Sequence, residues 1–384
     1  MLIHGPSTYT MEKPKRVDKR PIRIAVVGSR GIPGNYGGFE TFAERLGLGL
    51  VKRGHLVNVY CPATSSTTDE RDYRGIKRTV VPNIPLKSLD KLSGSVLSCL
   101  HASFSECDVI LFLGVAPAIF AWIPRLAGKK LVVNIDGLEW KRRKWGRFGS
   151  WYLKFSECLG ALFCHEIIAD SMVLKEYVKN EYEKDAVYIA YGADPGAAED
   201  DGVLDKLGLK KNEYFLQVCR LEPENNSDLV IREYGLLETD LPLVIVGDAP
   251  YSDSYKNRLK EMADKRVMFM GAVYGRDYDA LRSNAFCYIH AHEVGGTNPS
   301  LLEALAAGNC VAVLDVPYNL EVIDNAGLSF SRESGSLARI LRCLLADPAA
   351  MMELRQKAVE RIESYYSWDK IINAYEQLFI NLGQ

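Results

Sequence analysis

Residues 22–50 read IRIAVVGSRGIPGNYGGFETFAERLGLGL: an apolar run, a glycine-rich turn and an amphipathic stretch in direct succession. The run Ile22–Val27 is rich in Ile and Val, as is typical of a strand that is buried on both faces of a parallel sheet. After the glycines, apolar residues recur at helical spacing, at Phe39, Phe42, Ala43, Leu46 and Leu50. This order predicts the first βα unit of an open parallel sheet, in which ligands bind at the carboxyl ends of the strands.

The same alternation of short apolar runs and helical patterns continues along the chain and predicts an α/β fold with two lobes. In the first half, further strands are predicted at Leu56–Cys61, Lys77–Val81, Val109–Leu113, Leu131–Ile135, Glu166–Ala169 and Val187–Ala190. In the second half they are predicted at Tyr214–Val218, Leu243–Val246, Val267–Met270, Phe286–Ile289 and Val311–Leu314. The Gly- and Asp-rich stretch 191–211 is predicted to connect the lobes. The predicted division is therefore a polar tail (1–20), an N-terminal lobe (21–192), a C-terminal lobe (193–366) and a last amphipathic helix within 367–384.

Composition excludes several classes of protein. The chain has 384 residues, of which 47% are hydrophobic and 25% charged, as in a folded globular protein of two domains. The sequence contains no run of 18 apolar residues, so no membrane span is predicted, and the first 20 residues lack the apolar core of a signal peptide. The nine cysteines are scattered without a C-x-x-C pair, which favours reduced cytoplasmic thiols over disulfides or a zinc site.

The net charge of −2 conceals an asymmetry between the two halves. Residues 1–190 hold 28 basic and 19 acidic residues, and residues 191–384 hold 19 basic and 30 acidic residues. A net charge of +9 on the first half indicates that this half meets an anionic surface. Two unrelated solvated surfaces would give the same count, and charge alone does not separate these interpretations.

The first glycine-rich loop is a candidate site for an acceptor or a phosphate. Glycines let the backbone approach a ligand closely, and the following helix offers free N–H groups. The candidate residues are Gly31, Gly37, Gly38 and Glu40. Their spacing is not G-x-G-x-x-G, which disfavours a nicotinamide-dependent oxidoreductase. The alternative is a flexible loop with turn glycines.

A second glycine-rich loop follows the predicted strand Phe286–Ile289 and reads GGTNPSLLEA over residues 295–304. Pro299 suits the first turn of a helix and Asn298 is a natural N-cap, so the N–H groups of Ser300 and Leu301 are expected to be free to hold a diphosphate. Glu303, one turn later, is expected to accept a hydrogen bond from a sugar hydroxyl. A solvated helix carboxylate is the alternative, but the surrounding apolar residues argue against it. The predicted donor-binding residues here are Gly295, Gly296, Thr297, Asn298, Pro299, Ser300, Leu301 and Glu303.

Two more candidates follow predicted strands. Arg220 comes after Tyr214–Val218, where a guanidinium can bind a phosphate bidentately, unless it pairs with a nearby acid. Asp136 comes directly after Leu131–Ile135 and is predicted to contact the donor or acceptor sugar, with a turn aspartate as the alternative. We predict both as catalytic residues: Arg220 to stabilise charge on a departing diphosphate, and Asp136 as a candidate proton acceptor.

Taken together, these blocks resemble the family 4 glycosyltransferases. The resemblance is carried by Gly37-Gly38-Phe39-Glu40, by Asp136-Gly137-Leu138-Glu139-Trp140, by the stretch from Arg220 to Asn226, and by the 295–304 loop. Within the family the chain most resembles the bacterial rhamnosyltransferase-like branch. The resemblance implies a GT-B fold of two facing Rossmann-like lobes, in which the C-terminal lobe holds the donor and the last helix crosses back onto the first lobe.

The resemblance also implies a reaction: retaining transfer from a nucleotide-diphosphate sugar, with no obligatory metal or other cofactor. The wider family has two acids separated by seven residues and a lysine five residues after the arginine. In this chain Glu303 is the second acid, but Gly295 stands at the position of the first. Asn225 stands at the position of the lysine, and we count it among the donor-binding residues. Both departures fit the rhamnosyltransferase-like branch and its dTDP-L-rhamnose donor. A UDP-sugar donor, or a non-catalytic protein that binds sugar nucleotides, remains the alternative.

Residues 140–154 (WKRRKWGRFGSWYLK) combine three of the five tryptophans with six basic residues and no acid. Such a stretch favours an anionic lipid surface, and therefore a peripheral position on the inner face of the membrane with a lipid-linked glycan as acceptor. Nucleic acid is disfavoured because no RNA-binding motif accompanies the stretch, and an amphipathic helix with buried tryptophans is the plainest alternative. The predicted membrane patch comprises Trp140, Lys141, Arg142, Arg143, Lys144, Trp145, Arg147 and Trp151.

The pair His290 and His292 is a further cluster. No His or Cys group accompanies it, so we predict a strand end beside the donor loop rather than a metal site.

Overall fold

The computed structural model describes residues 20–34, 37–65, 70–86, 89–142, 144–199, 202–249 and 253–383. Nearly all of the predicted tail, and Arg143, lie outside these ranges. The strands are β1 (Arg23–Val27), β2 (Leu56–Pro62), β3 (Asp72–Tyr73), β4 (Ile76–Val81), β5 (Val109–Leu113), β6 (Lys130–Ile135), β7 (Glu166–Ala169), β8 (Val187–Tyr188), β9 (Phe215–Val218), β10 (Leu243–Val246), β11 (Val267–Gly271), β12 (Cys287–His290), β13 (Cys310–Leu314) and β14 (Leu328–Phe330).

The helices are α1 (Gly38–Lys52), α2 (Leu89–Phe104), α3 (Trp122–Leu126), α4 (Arg147–Phe163), α5 (Met172–Tyr182), α6 (Val203–Lys206), α7 (Ser227–Tyr234), α8 (Asp253–Met262), α9 (Gly275–Ser283), α10 (Pro299–Ala306), α11 (Pro317–Ile323), α12 (Ser336–Ala346), α13 (Pro348–Arg361) and α14 (Trp368–Gly383). Within the described ranges, none of them is long and apolar enough to cross a membrane.

Both sheets have the strand order of a doubly wound α/β fold. The first runs β3-β4-β2-β1-β5-β6-β7-β8 and the second β11-β10-β9-β12-β13-β14. All neighbouring strands pair in parallel except the short hairpin of β3 and β4. In each sheet the chain reverses direction beside the first strand of that sheet, β1 or β9, and ligands of such folds bind at this reversal.

The predicted strands are confirmed, with ends that differ by up to two residues. Two strands escaped prediction, β3 and β14, which have only two and three residues. Runs so short show no alternation of apolar and polar residues by which a strand could be recognised.

The last helix, α14, packs against the first lobe, as the resemblance implied. The ring of Phe42 on α1 lies 5.8 Å from that of Trp368 and 5.4 Å from that of Tyr375. Asn134 of β6 donates a hydrogen bond to the Tyr375 hydroxyl (3.1 Å), and Arg53 pairs with Glu376 (2.8 Å). This contact fixes the two lobes together on the side opposite to α2 and α4.

Candidate active site

The two glycine-rich loops face each other across the cleft between the lobes. A β-carbon on Gly38 would lie 3.6 Å from Pro299, and one on Gly137 would lie 2.7 Å from Gly295. The second distance is too short for any side chain, so glycine at position 137 allows a close approach of the two lobes. The sequence-predicted groups of both lobes therefore meet at one place.

A cavity of about 520 Å³ opens between the lobes, and Glu303 lies on its wall. Its other lining residues are Gly34, Gly37 and Thr41 from the first lobe, and Tyr274, Gly275, Tyr278, Asp279 and Arg282 from the second. This volume is within the range of small-molecule sites. Among the predicted residues, the structure thus brings Gly37 and Glu303 to the same cavity.

One oxygen of Glu303 is held by protein groups. Its Oε2 accepts hydrogen bonds from the Tyr278 hydroxyl (3.0 Å) and from Arg282 (2.9 Å). Burial and the neighbouring Glu303 raise the pKa of Tyr278 well above its usual value, so that the phenol remains a donor. The Oε1 atom accepts no hydrogen bond from the described residues and can accept one from a ligand hydroxyl.

Helix α10 begins at Pro299 with Asn298 as N-cap, as predicted. The prediction that the amides of Ser300 and Leu301 are free is wrong, because Asn298 accepts both: its Oδ1 from Ser300 (3.0 Å) and its carbonyl from Leu301 (3.1 Å). In the described structure, the amides of Gly295, Gly296 and Asn298 itself donate to no protein acceptor. In this loop, the N–H groups without a protein acceptor therefore precede the helix.

Arg220 is exposed at the carboxyl end of β9, as predicted. Its carbonyl accepts hydrogen bonds from Asn225 Nδ2 (2.6 Å) and from the Glu222 amide (2.7 Å). Asn225 is buried and its amide nitrogen is used by this backbone contact. This corrects the prediction that Asn225 contacts the donor: the residue holds the loop that presents Arg220.

Asp136 has a neighbour that sequence reasoning missed. Because β6 and β7 pair with Ile135 opposite Ala169, the next residues, Asp136 and Asp170, lie side by side at the edge of the sheet. Asp170 Oδ2 accepts a hydrogen bond from the Thr297 amide (3.1 Å), and the Thr297 hydroxyl donates to the Asp170 carbonyl. Asp170 thereby joins the first lobe to the 295–304 loop, here called the donor loop, of the second lobe.

Burial raises the pKa of both aspartates. For Asp170, the charge of Asp136 raises the pKa further, whereas Arg142 partly offsets the effect of burial on Asp136. Buried Tyr191 lies beside Asp136 and also favours the charged form of its carboxyl group. Two adjacent carboxyl groups in such surroundings favour holding a proton between them.

Arg142 belongs to the cleft, which corrects its assignment to a membrane patch. Its side chain is only 11% exposed, and its Nε lies 2.5 Å from Glu139 Oε2. Burial acts against its charge, yet the carboxylates of Glu139, Asp136 and Glu224 raise its pKa. The cleft therefore holds two guanidinium groups, Arg142 from the first lobe and Arg220 from the second.

The first glycine-rich loop is shaped by carboxylates rather than left open to an anion. Glu40 Oε1 accepts the Arg30 amide (2.7 Å) and Glu44 Oε2 accepts the Gly34 amide (2.7 Å). Glu40 is buried, and a β-carbon on Gly37 would lie 2.7 Å from its Oε2. This corrects the assignment of Glu40 as a ligand contact. It also disfavours phosphate at this loop, because two amides are occupied and the local charge is negative.

The rings of His290 and His292 stack 4.2 Å apart at the end of β12. Burial lowers the pKa of His290 to about 3, so the ring is neutral. The described residues contain no group of three potential metal ligands. Glu293 turns away from the cleft, toward Arg332 and Asn226.

The basic and aromatic stretch divides into two parts. The first folds around Glu139, which accepts a hydrogen bond from Trp145 Nε1 (3.2 Å) and pairs with Lys144 (2.7 Å). The second is α4, on which Arg147 and Trp151 are exposed. The predicted patch is therefore not one surface.

Two family models match the chain. Residues 203–364 match the model described as "Glycosyl transferases group 1", and residues 110–194 match a "Domain of unknown function (DUF1972)". Arg220 and the donor loop lie within the first match, and Asp136, Arg142 and Asp170 within the second.

Curated relatives are similar over part of their length. A 180-residue stretch, 45% of this chain, is 28% identical to an N-acetylgalactosamine-N,N'-diacetylbacillosaminyl-diphospho-undecaprenol 4-alpha-N-acetylgalactosaminyltransferase of Campylobacter jejuni, of which it covers 47%. A 181-residue stretch, 46% of the chain, is 24% identical to the O-antigen chain mannosyltransferase RfbU of Salmonella typhimurium and covers 50% of it. The chain thus spans about half the length of the curated relatives it matches.

Solved structures match the whole architecture. The sucrose-phosphate synthase of Thermosynechococcus elongatus superposes with a TM-score of 0.77 at 17% identity, over 94% of this chain and 99% of that one. Anabaena Alr3699/HepE in complex with UDP superposes with a TM-score of 0.76 at 18% identity, over 94% and 100%. The fold is therefore GT-B.

Proposed function

We propose that this chain, whose C-terminal lobe belongs to the group 1 glycosyl transferases, moves a sugar from a nucleotide-diphosphate donor to a growing surface glycan on a lipid carrier. One observation carries the proposal: Glu303 lines a cavity between the lobes, while Arg220 and the 295–304 loop follow the neighbouring parallel strands β9 and β12 at the same edge of the second sheet. A nucleotide-diphosphate sugar needs these groups in this combination, for its diphosphate and for its ribosyl hydroxyl.

Breaking the anomeric C–O bond leaves negative charge on the departing diphosphate. Arg220 and the amides of Gly295, Gly296 and Asn298 stabilise that charge through oriented donors in a partly dry cleft. Arg142 supplies a second positive charge from the first lobe, in place of the lysine for which this chain has Asn225. No metal is required for this stabilisation.

Asp136 is the candidate proton acceptor for the acceptor hydroxyl. Burial raises its pKa above the usual value for an aspartate, in the direction that favours a general base. We expect the anomeric configuration to be retained, as the family resemblance implies.

The donor that we favour is dTDP-L-rhamnose, because the GGTNPSLLEA loop resembles the rhamnosyltransferase-like branch. UDP-linked sugars are the alternative, and a solved structure of similar fold is a complex with UDP. For the acceptor, the name of the Campylobacter relative includes diphospho-undecaprenol. A lipid-linked acceptor would place the protein peripherally on the inner face of the cytoplasmic membrane.

The test is turnover by the purified protein with a panel of dTDP- and UDP-linked sugars, with and without a polyprenyl-diphosphate glycan. We expect one donor to be consumed, and dTDP-L-rhamnose to be turned over faster than UDP-sugars. Consumption of a UDP-sugar alone would overturn the rhamnose assignment. Binding of nucleotide without turnover of any donor would favour the non-catalytic alternative instead.

A further inference from the structure

Helix α4 presents an apolar stripe to solvent. Phe148, Trp151, Phe155 and Leu162 are 78%, 60%, 42% and 62% exposed. They are spaced three, four and seven residues apart and therefore lie on one face of the helix. The rings form a continuous ladder, because Phe148 lies 6.1 Å from Trp151 and Trp151 stacks on Phe155 at 5.4 Å.

The helices next to α4 extend this apolar surface. Helix α2 contacts α3, and α3 contacts α4. Exposed apolar residues on the two neighbours are Leu97, Leu100, Phe104, Trp122 and Leu126, of which Phe104 is 87% and Leu126 80% exposed. Isolated exposed apolar residues need no explanation, but a set on three adjacent helices marks an interaction surface.

The exposed charges of the segment that carries α3 and α4 are positive; outside it, Glu106 is exposed just after α2 and pairs with Arg23. The segment 122–165 contains nine basic residues and three acids, and the three acids turn inward. Asp136 and Glu139 lie in the cleft, and Glu157 is buried, where it accepts hydrogen bonds from Lys154, Tyr177 and Tyr182. Within this segment Arg125, Lys141 and Arg147 remain exposed, the last of them on α4 itself.

We propose that the α4 ladder, with the exposed apolar ends of α2 and α3, is inserted into the surface of an anionic bilayer. An amphipathic helix with aromatic residues on one side and basic residues around them binds in this manner, parallel to the membrane plane. A second copy of this chain fits the surface less well, because a symmetric contact would bring the same basic groups together.

This proposal gives physical form to the lipid-linked acceptor of the proposed function, on which it rests for its biological meaning. The first turn of α4 contacts the segment that carries Asp136 and Arg142, because a β-carbon on Gly149 would lie 3.1 Å from the Trp145 ring, and Trp145 Nε1 donates to Glu139. A bilayer held at α4 would present the diphosphate head of a lipid acceptor near the cleft entrance.

The test measures sedimentation with phosphatidylcholine vesicles that contain 30 mol% phosphatidylglycerol, a composition chosen as about that of an anionic membrane. We expect the parent to bind at low salt and to be released as salt rises. The triple variant F148S/W151S/F155S should bind at least about tenfold more weakly. The matched control L236S/M352S removes two exposed apolar residues of the second lobe, 45% and 59% exposed, and should bind like the parent.

A parent that ignores these vesicles, or a triple variant that binds like the parent, overturns the proposal. So does a parent that is dimeric without vesicles and becomes monomeric in the triple variant, since the partner would then be a second copy. Vesicle binding requires neither donor nor acceptor. An active transferase that does not bind vesicles would therefore contradict this proposal alone, and a vesicle-binding protein without turnover would contradict only the proposed function.

Trp151 gives a second measurement that does not depend on removing the stripe. Tryptophan emission of the parent should shift to the blue on vesicle binding. The variant W151F should still bind, but with a clearly smaller shift. An unchanged shift in W151F would show that α4 stays outside the bilayer and would overturn its insertion.

Discussion

Glu303 uses one carboxylate oxygen within the protein and leaves the other to the cavity. Replacing it with Gln should weaken binding of a nucleoside diphosphate about tenfold, because a neutral amide is a poorer acceptor than a carboxylate. Titration calorimetry measures this affinity. The control is E360Q, at an exposed helix position far along the chain, which should bind like the parent. Equal affinities of E303Q and the parent for the nucleoside diphosphate would mean that Glu303 serves only to bind Tyr278 and Arg282.

Asp170 makes stability depend on pH. Because burial raises its pKa in the folded state above the unfolded value of about 3.9, the folded protein binds the extra proton. The free energy of unfolding therefore falls as pH rises from about 4 through the folded pKa. The side-chain amide of D170N does not titrate, so the variant does not lose stability in this way. The free energy of unfolding of D170N minus that of the parent should therefore increase with pH.

Urea unfolding of D170N and the parent at pH values from 5 to 8 measures this difference. The side-chain amide oxygen in D170N can still accept the hydrogen of the Thr297 amide, so the contact between the lobes is preserved in the comparison. Parallel pH profiles would mean that Asp170 does not hold a proton in the folded protein.

In the proposed reaction, Arg142 offers the leaving diphosphate a second positive charge, from the first lobe. R142Q should therefore raise the KM for the donor by about tenfold, whereas K141Q, its exposed neighbour, should not. Steady-state kinetics at several donor concentrations separate KM from kcat. If both variants keep the parent's KM, Arg142 serves only to neutralise Glu139 and Asp136.

Sequence reasoning predicted some of these residues and missed others for physical reasons. Asp136 and Asp170 each follow directly after an apolar run that was predicted as a strand. The rule that identified Asp136 as a candidate would therefore also have identified Asp170. Arg142 could not be separated from Lys141, because a count of basic residues does not say which side chain turns toward a buried acid. That assignment required the position of Glu139.

The donor loop depends on a glycine that no other residue can replace in the closed cleft. A β-carbon on Gly296 would lie 1.9 Å from Asp170 Oδ1, so G296A should hold the lobes apart and lower kcat/KM by about 10²-fold. The double variant D170A/G296A removes the clash. The double variant should have a higher kcat/KM than G296A. If its loss of transition-state stabilisation equalled the sum of the losses in D170A and in G296A, the clash would not explain the effect of G296A.

Among the elements, strands and helix starts followed from sequence patterns, whereas the use of individual N–H groups did not. Pro299 and Asn298 predicted where α10 begins, because proline and an N-cap have fixed places in a helix. The same Asn298 then occupies the amides that were expected to be free. A cap satisfies the first turn of its own helix, and only the three-dimensional structure reveals which amides are left for a ligand.

In the whole molecule, the sequence indicated a basic first half but not where its charges lie. The described charges of the 140–147 segment divide between the cleft and the outer surface near an apolar helix. The GT-B fold makes this possible, since the segment leaves the sheet at the cleft and returns along α4 on the outer face. One stretch of sequence can thus serve both the reaction and the docking of the acceptor.

We propose that Arg220 and the 295–304 loop stabilise the leaving diphosphate without a metal ion. The direct measurement is the rate of sugar transfer in EDTA for the parent, for R220A and for R339A, an exposed arginine on α12 of the same lobe. We predict that the parent and R339A keep their full rates in EDTA and that R220A is slower by about 10²–10³-fold while remaining folded. A parent that is inactive in EDTA and recovers only with Mg²⁺ or Mn²⁺ would show that a metal ion stabilises the leaving group. An R220A variant as fast as the parent would show that Arg220 does not.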